Sequence, residues 1–234
     1  ATDLGVGLQP GYCTGENYLH GPLALFVNEI VFEKLKFHPI ESQVCIYVSK
    51  LYLKQYFDNL KPLKKFKFPR GEIKYDQGTK YFRNNARALA AIAKKIAGEK
   101  NDNVVAILFR DSDSKNSSET EEWEKKRDSM LNGFLDENFR HGVPMLPKPV
   151  SEAWILCAVY RGENPNRNCN DLEEQKHGDR TDHALKHELR EKLGSRPTRE
   201  SLNEKIQSGE INLNNINLPS FNRFKERLTR VISD

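Results

Sequence analysis

The strongest constraint in this chain is the apolar run at 104–109, Val-Val-Ala-Ile-Leu-Phe, which stops abruptly in Arg-Asp-Ser-Asp-Ser-Lys. Nearly continuous apolarity without alternation predicts a strand buried on both faces, as in the centre of a parallel sheet covered by helices. Open sheets of that kind place ligands at the carboxyl ends of their strands. Asp111 and Asp113 stand two residues apart there, so in a still-extended chain both carboxylates point the same way and can converge on one cation. Oxygen donors with no Cys or His nearby favour Mg²⁺ or Mn²⁺ over Zn²⁺. An Asp-rich turn whose side chains accept from backbone N–H groups would use the same residues.

The surrounding sequence alternates helix and strand. Leu23, Phe26, Val27, Ile30, Val31 and Leu35 keep helical spacing, which predicts a helix over 22–36 with Pro22 in its first turn. The segment 43–48 reads as a buried strand. Phe82, Ala86, Leu89, Ala90, Ala93, Ile96 and Ala97 predict a second helix with Gly98 as its C-terminal cap. Trp123, Met130, Leu131, Phe134 and Leu135 predict a third, followed by a short strand at 143–146 and a buried helix at 151–160. An Asn-rich loop over 162–175 leads to helices at 182–193, 198–207 and 219–232. The expectation is an α/β fold, an open and mainly parallel sheet flanked by helices over 1–160, with a helical C-terminal region over 161–234.

Several function classes are excluded on the same grounds. No apolar run approaches the roughly 18–20 residues of a membrane span, and the first fifteen residues lack the basic and apolar regions of a signal peptide. A soluble, cytoplasmic protein is therefore expected. Cys13, Cys45, Cys157 and Cys169 form no CxxC pair, which argues against a zinc knuckle or disulfide framework and for reduced, mostly buried thiols. Neither a Walker A motif nor GxGxxG is present, so the chain is not expected to hydrolyse ATP by itself. His183 and His187 have zinc-compatible spacing but no Glu in the metalloprotease position.

Two further features could join the aspartates at one rim. Gly15-Glu16 precedes the first helix, where the macrodipole favours an acid. Glu29, on that helix, is a competitor for the same role. Pro147-Lys-Pro-Val-Ser-Glu-Ala-Trp154 is a proline-framed bend that carries Lys148, which could neutralise a phosphate oxygen, and Glu152, which could sit in an outer metal shell. A plain helix start capped by Ser151, with a surface Lys and Glu, would look the same. The net charge of +4 says little, but eight cations (Lys50, Lys54, Lys61, Lys64, Lys65, Lys67, Arg70, Lys74) crowd into 50–74 against Asp58 and Glu72. Tyr52, Tyr56, Phe57, Phe66 and Phe68 are interleaved with them. Cations suit a phosphate backbone and aromatics suit bases; a solvated surface with its aromatics turned inward is the plainer reading.

Taken together, Gly15-Glu16, Asp111-x-Asp113 after an apolar strand, and the Glu-Ala-Trp-Ile-Leu run after a Pro-rich bend resemble the TOPRIM superfamily. The nearest likeness within it is to the small TOPRIM-like proteins of prokaryotic defence loci, related to RloB and OLD-type nucleases. The resemblance spans roughly 10–160. It implies a compact parallel sheet between helices and Mg²⁺-dependent strand cleavage or transfer. On that pattern Glu16 is a general acid/base or metal ligand, and Asp111 and Asp113 hold the metal. The expectation is thus a metal-dependent endonuclease acting on DNA or RNA, tRNA included, in antiviral defence. Glu16, Asp111, Asp113, Lys148 and Glu152 would form its site, and Lys61, Lys64, Lys65, Lys67, Arg70, Arg110 and Lys115 would meet nucleic-acid phosphates. The rival expectation is a non-catalytic nucleic-acid-binding or regulatory subunit recruited by an ATPase or sensor partner. A third is a phosphohydrolase acting on nucleotides, which would need no basic track.

Overall fold

The computed structural model describes residues 2–60, 78–112, 120–174 and 181–233. It is a mixed α/β chain in which helices predominate. Strands β1 (Gly5–Gly7), β2 (Tyr12–Thr14) and β3 (Tyr18–His20) precede helix α1 (Pro22–Leu35), and β4 (Ile46–Val48) leads into α2 (Lys50–Asp58). Next come α3 (Lys80–Lys100), β5 (Ala106–Phe109), α4 (Thr120–Asp136), β6 (Gly142–Met145) and α5 (Ser151–Glu163). The C-terminal part holds α6 (Asn170–Glu174), α7 (Thr181–Lys192), α8 (Arg199–Gln207) and α9 (Pro219–Val231). Among the described residues no helix is long and apolar enough to cross a membrane.

The sheet is less extensive than the sequence predicts. The described strands form three separate pairs: β1 with β3 and β2 with β4, both antiparallel, and β5 with β6, the one parallel pair. The segment before Glu16 contains Gly5, Gly7, Pro10 and Gly11, and it folds into three-residue ribbons. Strand β4 is half-buried rather than buried. Pro144 in β6 pairs opposite Leu108 but has no N–H to give a further strand. Beside it, the Arg227 guanidinium of α9 donates from Nε to Gly142 O (3.0 Å) and from Nη2 to Arg140 O (2.6 Å).

Strand β5 nevertheless has apolar contacts on both faces, as its composition requires. Ala106 and Leu108 belong to a core with Phe82, Leu89 and Ile92 of α3 and Met130 and Phe134 of α4. Ile107 and Phe109 pack against a second core built on Leu23, Phe26 and Ile30 of α1, Val143 and Met145 of β6, and Trp154 of α5. That second core also contains Leu185, Leu189, Leu202, Ile206, Phe221, Phe224 and Leu228. The helices of 161–234 therefore complete the interior around α5. Helix α6 occupies part of the expected loop over 162–175.

Local chemistry explains most boundaries. Thr198 caps α8 reciprocally with Ser201, and Pro219 opens α9. Helix α3 runs through Gly98 and ends on Asn101, which adopts a left-handed φ of 52° and donates its N–H to Ala97 O. Gly98 is an ordinary helical position, because an Asn side chain tolerates the left-handed cap. Helices α3 and α4 meet at Gly133, where a Cβ would stand 2.4 Å from Arg83 O. Arg83 also forms a two-pronged pair with Asp136, at 2.5 and 2.7 Å.

The cysteines depart from the expectation of four free thiols. Cys157 and Cys169 are joined in a disulfide that ties α5 to the start of α6, with their Cα atoms 5.7 Å apart. Cys13 and Cys45 are free. The pairing brings together residues twelve apart in sequence, which only the turn after α5 makes adjacent.

Candidate functional site

The candidate site is the carboxyl end of β5 and the loop that follows β6. Backbone pairing outlasts the strands: Arg110 N–H donates to Met145 O at 3.1 Å, and Ser112 N–H donates to Pro149 O at 3.1 Å. The Ser112 hydroxyl also donates to Pro149 O, at 3.0 Å. These bonds zip 110–112 against 145–149, where the Lys148-Pro149 peptide is cis. From α4, Trp123 Nε1 donates to Leu146 O (2.9 Å) and Lys126 Nζ to Ser112 O (2.9 Å).

Asp111 is thereby carried to the N-terminus of α5. Its Oδ1 accepts from Ser151 N–H at 3.1 Å, one of the backbone donors that a helix start leaves unsatisfied. Ser151 is the first helical residue rather than the cap. Val150 holds the N-cap position without a side-chain bond, and the Ser151 hydroxyl donates to Thr2 Oγ1 at 3.0 Å. The carboxylate from β5 does the capping that the sequence suggested for Ser151.

Lys148 and Glu152 are not surface residues. They are 6% and 7% exposed, a degree of burial that charged side chains almost never reach unless paired. Lys126 and Glu173, which sequence reasoning passed over, are equally enclosed at 4% each. Glu173 Oε1 accepts from the Ser220 hydroxyl (2.6 Å) and N–H (3.0 Å) at the start of α9. Ser220 Oγ in turn accepts from Trp154 Nε1 at 2.7 Å. Burial raises the Glu173 carboxyl above its ordinary value, against the opposing pull of the Ser220 bonds and the Lys148 charge. No local motif marks Lys126 or Glu173; the first sits in a charged stretch of the third predicted helix and the second in the expected Asn-rich loop, and both read as solvated surface.

Other expected site residues fall elsewhere. Glu16 is exposed in a 3-10 turn (Gly15–Asn17) between β2 and β3. The strand before it pairs with β4 rather than β5. Arg110 is not an open phosphate contact: its guanidinium donates to Asn85 Oδ1 (2.7 Å) and Phe109 O (2.8 Å), and lies 5.6 Å from the Tyr81 ring centroid. Burial lowers its pKa. Asp113, Lys61, Lys64, Lys65, Lys67, Arg70 and Lys115 lie outside the described residues, as does the side chain of His183.

Asp111 offers the hard oxygen chemistry that Mg²⁺ takes, one donor of the six or so the ion requires. Among the described residues no group of three or more His, Cys, Asp and Glu side chains could hold a metal ion. A metal at this position would therefore depend on Asp113 and on oxygens from outside the described protein residues. No family model, curated protein or solved structure matches this chain.

Proposed function

We propose that the chain is a TOPRIM-like, Mg²⁺-dependent nuclease that cleaves DNA or RNA phosphodiester bonds, with Asp111 and Asp113 as the metal-holding carboxylates. The observation that carries this reading is Asp111 at the carboxyl end of the one described parallel pair, zipped to the loop that bears the buried Lys148. A carboxylate that only ended a strand would need no enclosed lysine and glutamate beside the next helix. Mg²⁺ held by Asp111 and Asp113 would supply the Lewis-acid chemistry that phosphodiester cleavage needs. The chain's own part is to hold charge in fixed positions. Ser112 and Lys126 fix the loop, and the α5 N-terminus favours an anion. Glu16, exposed in the turn between β2 and β3, and Glu152, buried in α5, take no part in this reading. An effector role in prokaryotic antiviral defence belongs to the same reading.

The test is incubation of plasmid DNA and total tRNA with wild type and Asp111→Ala, in Mg²⁺, Mn²⁺ or EDTA. Metal-dependent cleavage that disappears in the folded variant supports the proposal. Folded wild type that cleaves neither substrate sinks it as a free-standing activity. It would turn the reading to a non-catalytic binding or regulatory subunit recruited by an ATPase or sensor. The Asp111 bond to Ser151 N–H specifically favours that second reading, since it gives the carboxylate a structural task.

A further inference from the structure

We propose that the outer face of α2, with the adjoining end of β2, docks single-stranded nucleic acid, using Tyr12, Tyr52 and Tyr56 as stacking platforms for unpaired bases. This narrows the substrate class of the proposed nuclease. It rests on that reading for what happens to the strand, though not for its binding.

The geometry begins with how α2 is anchored. Leu53 is buried, and Phe57 lies under Arg87 with the guanidinium 5.5 Å from the ring centroid. Tyr52 and Tyr56, one helical turn apart, are half-buried and pack only in part against the α3 core. Ser49, whose hydroxyl caps α2, donates its N–H to Gly11 O at 3.1 Å, which sets the start of α2 beside β2. Tyr12, 43% exposed, is thereby aligned with the helix. The ring centroids of Tyr12 and Tyr52 are 6.1 Å apart, and those of Tyr52 and Tyr56 are 6.0 Å apart. The rings meet edge to face between Tyr12 and Tyr52 (69°) and tilted between Tyr52 and Tyr56 (51°).

Next to them is an open depression of about 560 Å³ lined by Tyr52, Gln55, Tyr56, Asn59 and Leu60. Its wall combines aromatic surface with two side-chain amides, which can both donate to and accept from base edges. Lys50 and Lys54 on the same short helix are exposed, against a single acid, Asp58. Aromatic platforms beside cations match a single strand, whose bases are free to stack while its phosphates are neutralised. A duplex keeps its bases within its own stack and could use only the lysines.

Binding is read by fluorescence anisotropy in EDTA, with labelled oligo(dT) and oligo(U) and a DNA duplex of equal length. Wild type is expected to favour the single strands. Tyr52→Ala and Tyr56→Ala should each weaken that binding by roughly 5- to 100-fold, while Tyr52→Phe retains it. Lys54→Glu should weaken it and flatten its salt dependence. The exposed Gln55→Glu and Lys54→Glu decide the matter if the tyrosine variants fail to fold. Equal affinity for strand and duplex, or unchanged binding in the folded alanine variants, overturns the proposal. So does light scattering that shows a dimer dissolved by Tyr52→Ala, which would make the face an interface between copies. Strand binding in EDTA with no cleavage once Mg²⁺ or Mn²⁺ is supplied sinks the nuclease reading alone. Cleavage without tyrosine-dependent binding sinks this inference alone.

Discussion

Asp111 reaches across from the end of β5 to accept the Ser151 N–H of α5 at 3.1 Å. One carboxylate thus holds strand to helix at the point where chemistry is proposed. The structural and chemical roles separate in two variants. Asp111→Asn keeps an acceptor for Ser151 and should lose well under 1 kcal/mol of stability, whereas Asp111→Ala should lose about 1–2 kcal/mol. Urea titration reads the difference. If both variants are equally stable, the hydrogen bond contributes nothing. If Asp111→Asn retains cleavage, the carboxylate charge is not needed for it.

Glu173 should give the protein a stability component that falls with pH. Its carboxyl is raised by burial, so between the ordinary Glu value of 4.5 and its folded value the native state holds more proton than the unfolded chain. Stability from this group is then fully present at low pH and declines as pH rises through that window. Glu173→Gln keeps an acceptor for Ser220 and should flatten the decline. Parallel pH profiles for the two proteins would show that Glu173 is not perturbed.

A chain ending at 160 should not fold. Trp154 is fully buried among Phe221 and Phe224 of α9, with ring centroids 5.1 and 5.7 Å away. Removing α9 would strip that indole of both ring partners and its N–H of the Ser220 acceptor. In the full chain, Trp154→Ala should cost about 3–5 kcal/mol. A cooperative thermal transition in the truncated chain would contradict this.

Gly133→Ala should destabilise by about 1–3 kcal/mol despite the better helix propensity of alanine. The added methyl would meet Arg83 O at 2.4 Å and Ala86 Cβ at 2.8 Å, which forces α3 and α4 apart. Gly98→Ala, in open space on α3, is the control and should stabilise by a few tenths of a kcal/mol up to about 1. Equal effects at the two positions would remove the packing argument.

Unfolded without reductant, the protein should expose only the thiols of Cys13 and Cys45, and all four cysteines after reduction. Reduction should also lower stability by roughly 2–4 kcal/mol. Four reactive thiols in the unreduced, denatured chain would show that Cys157 and Cys169 are not bonded.

Elements whose cause is local were legible in the sequence. Helical spacing in 22–36 and 219–232 found α1 and α9 to within a residue, because an amphipathic stripe and a proline at the first turn are properties of a short segment. The unbroken apolarity of 104–109 likewise fixed β5 as a strand with apolar partners on both faces. The enclosed charges around the candidate site came from packing between distant segments. Lys126 lies on α4 and Glu173 on α6, and each is enclosed because another element closes over it. The partner of Cys157, the cap of α5 and the antiparallel pairing of β2 with β4 were decided the same way. Periodicity records which face of a segment is buried. It carries no information about which distant segment covers that face, and the burial of a charge depends on that cover.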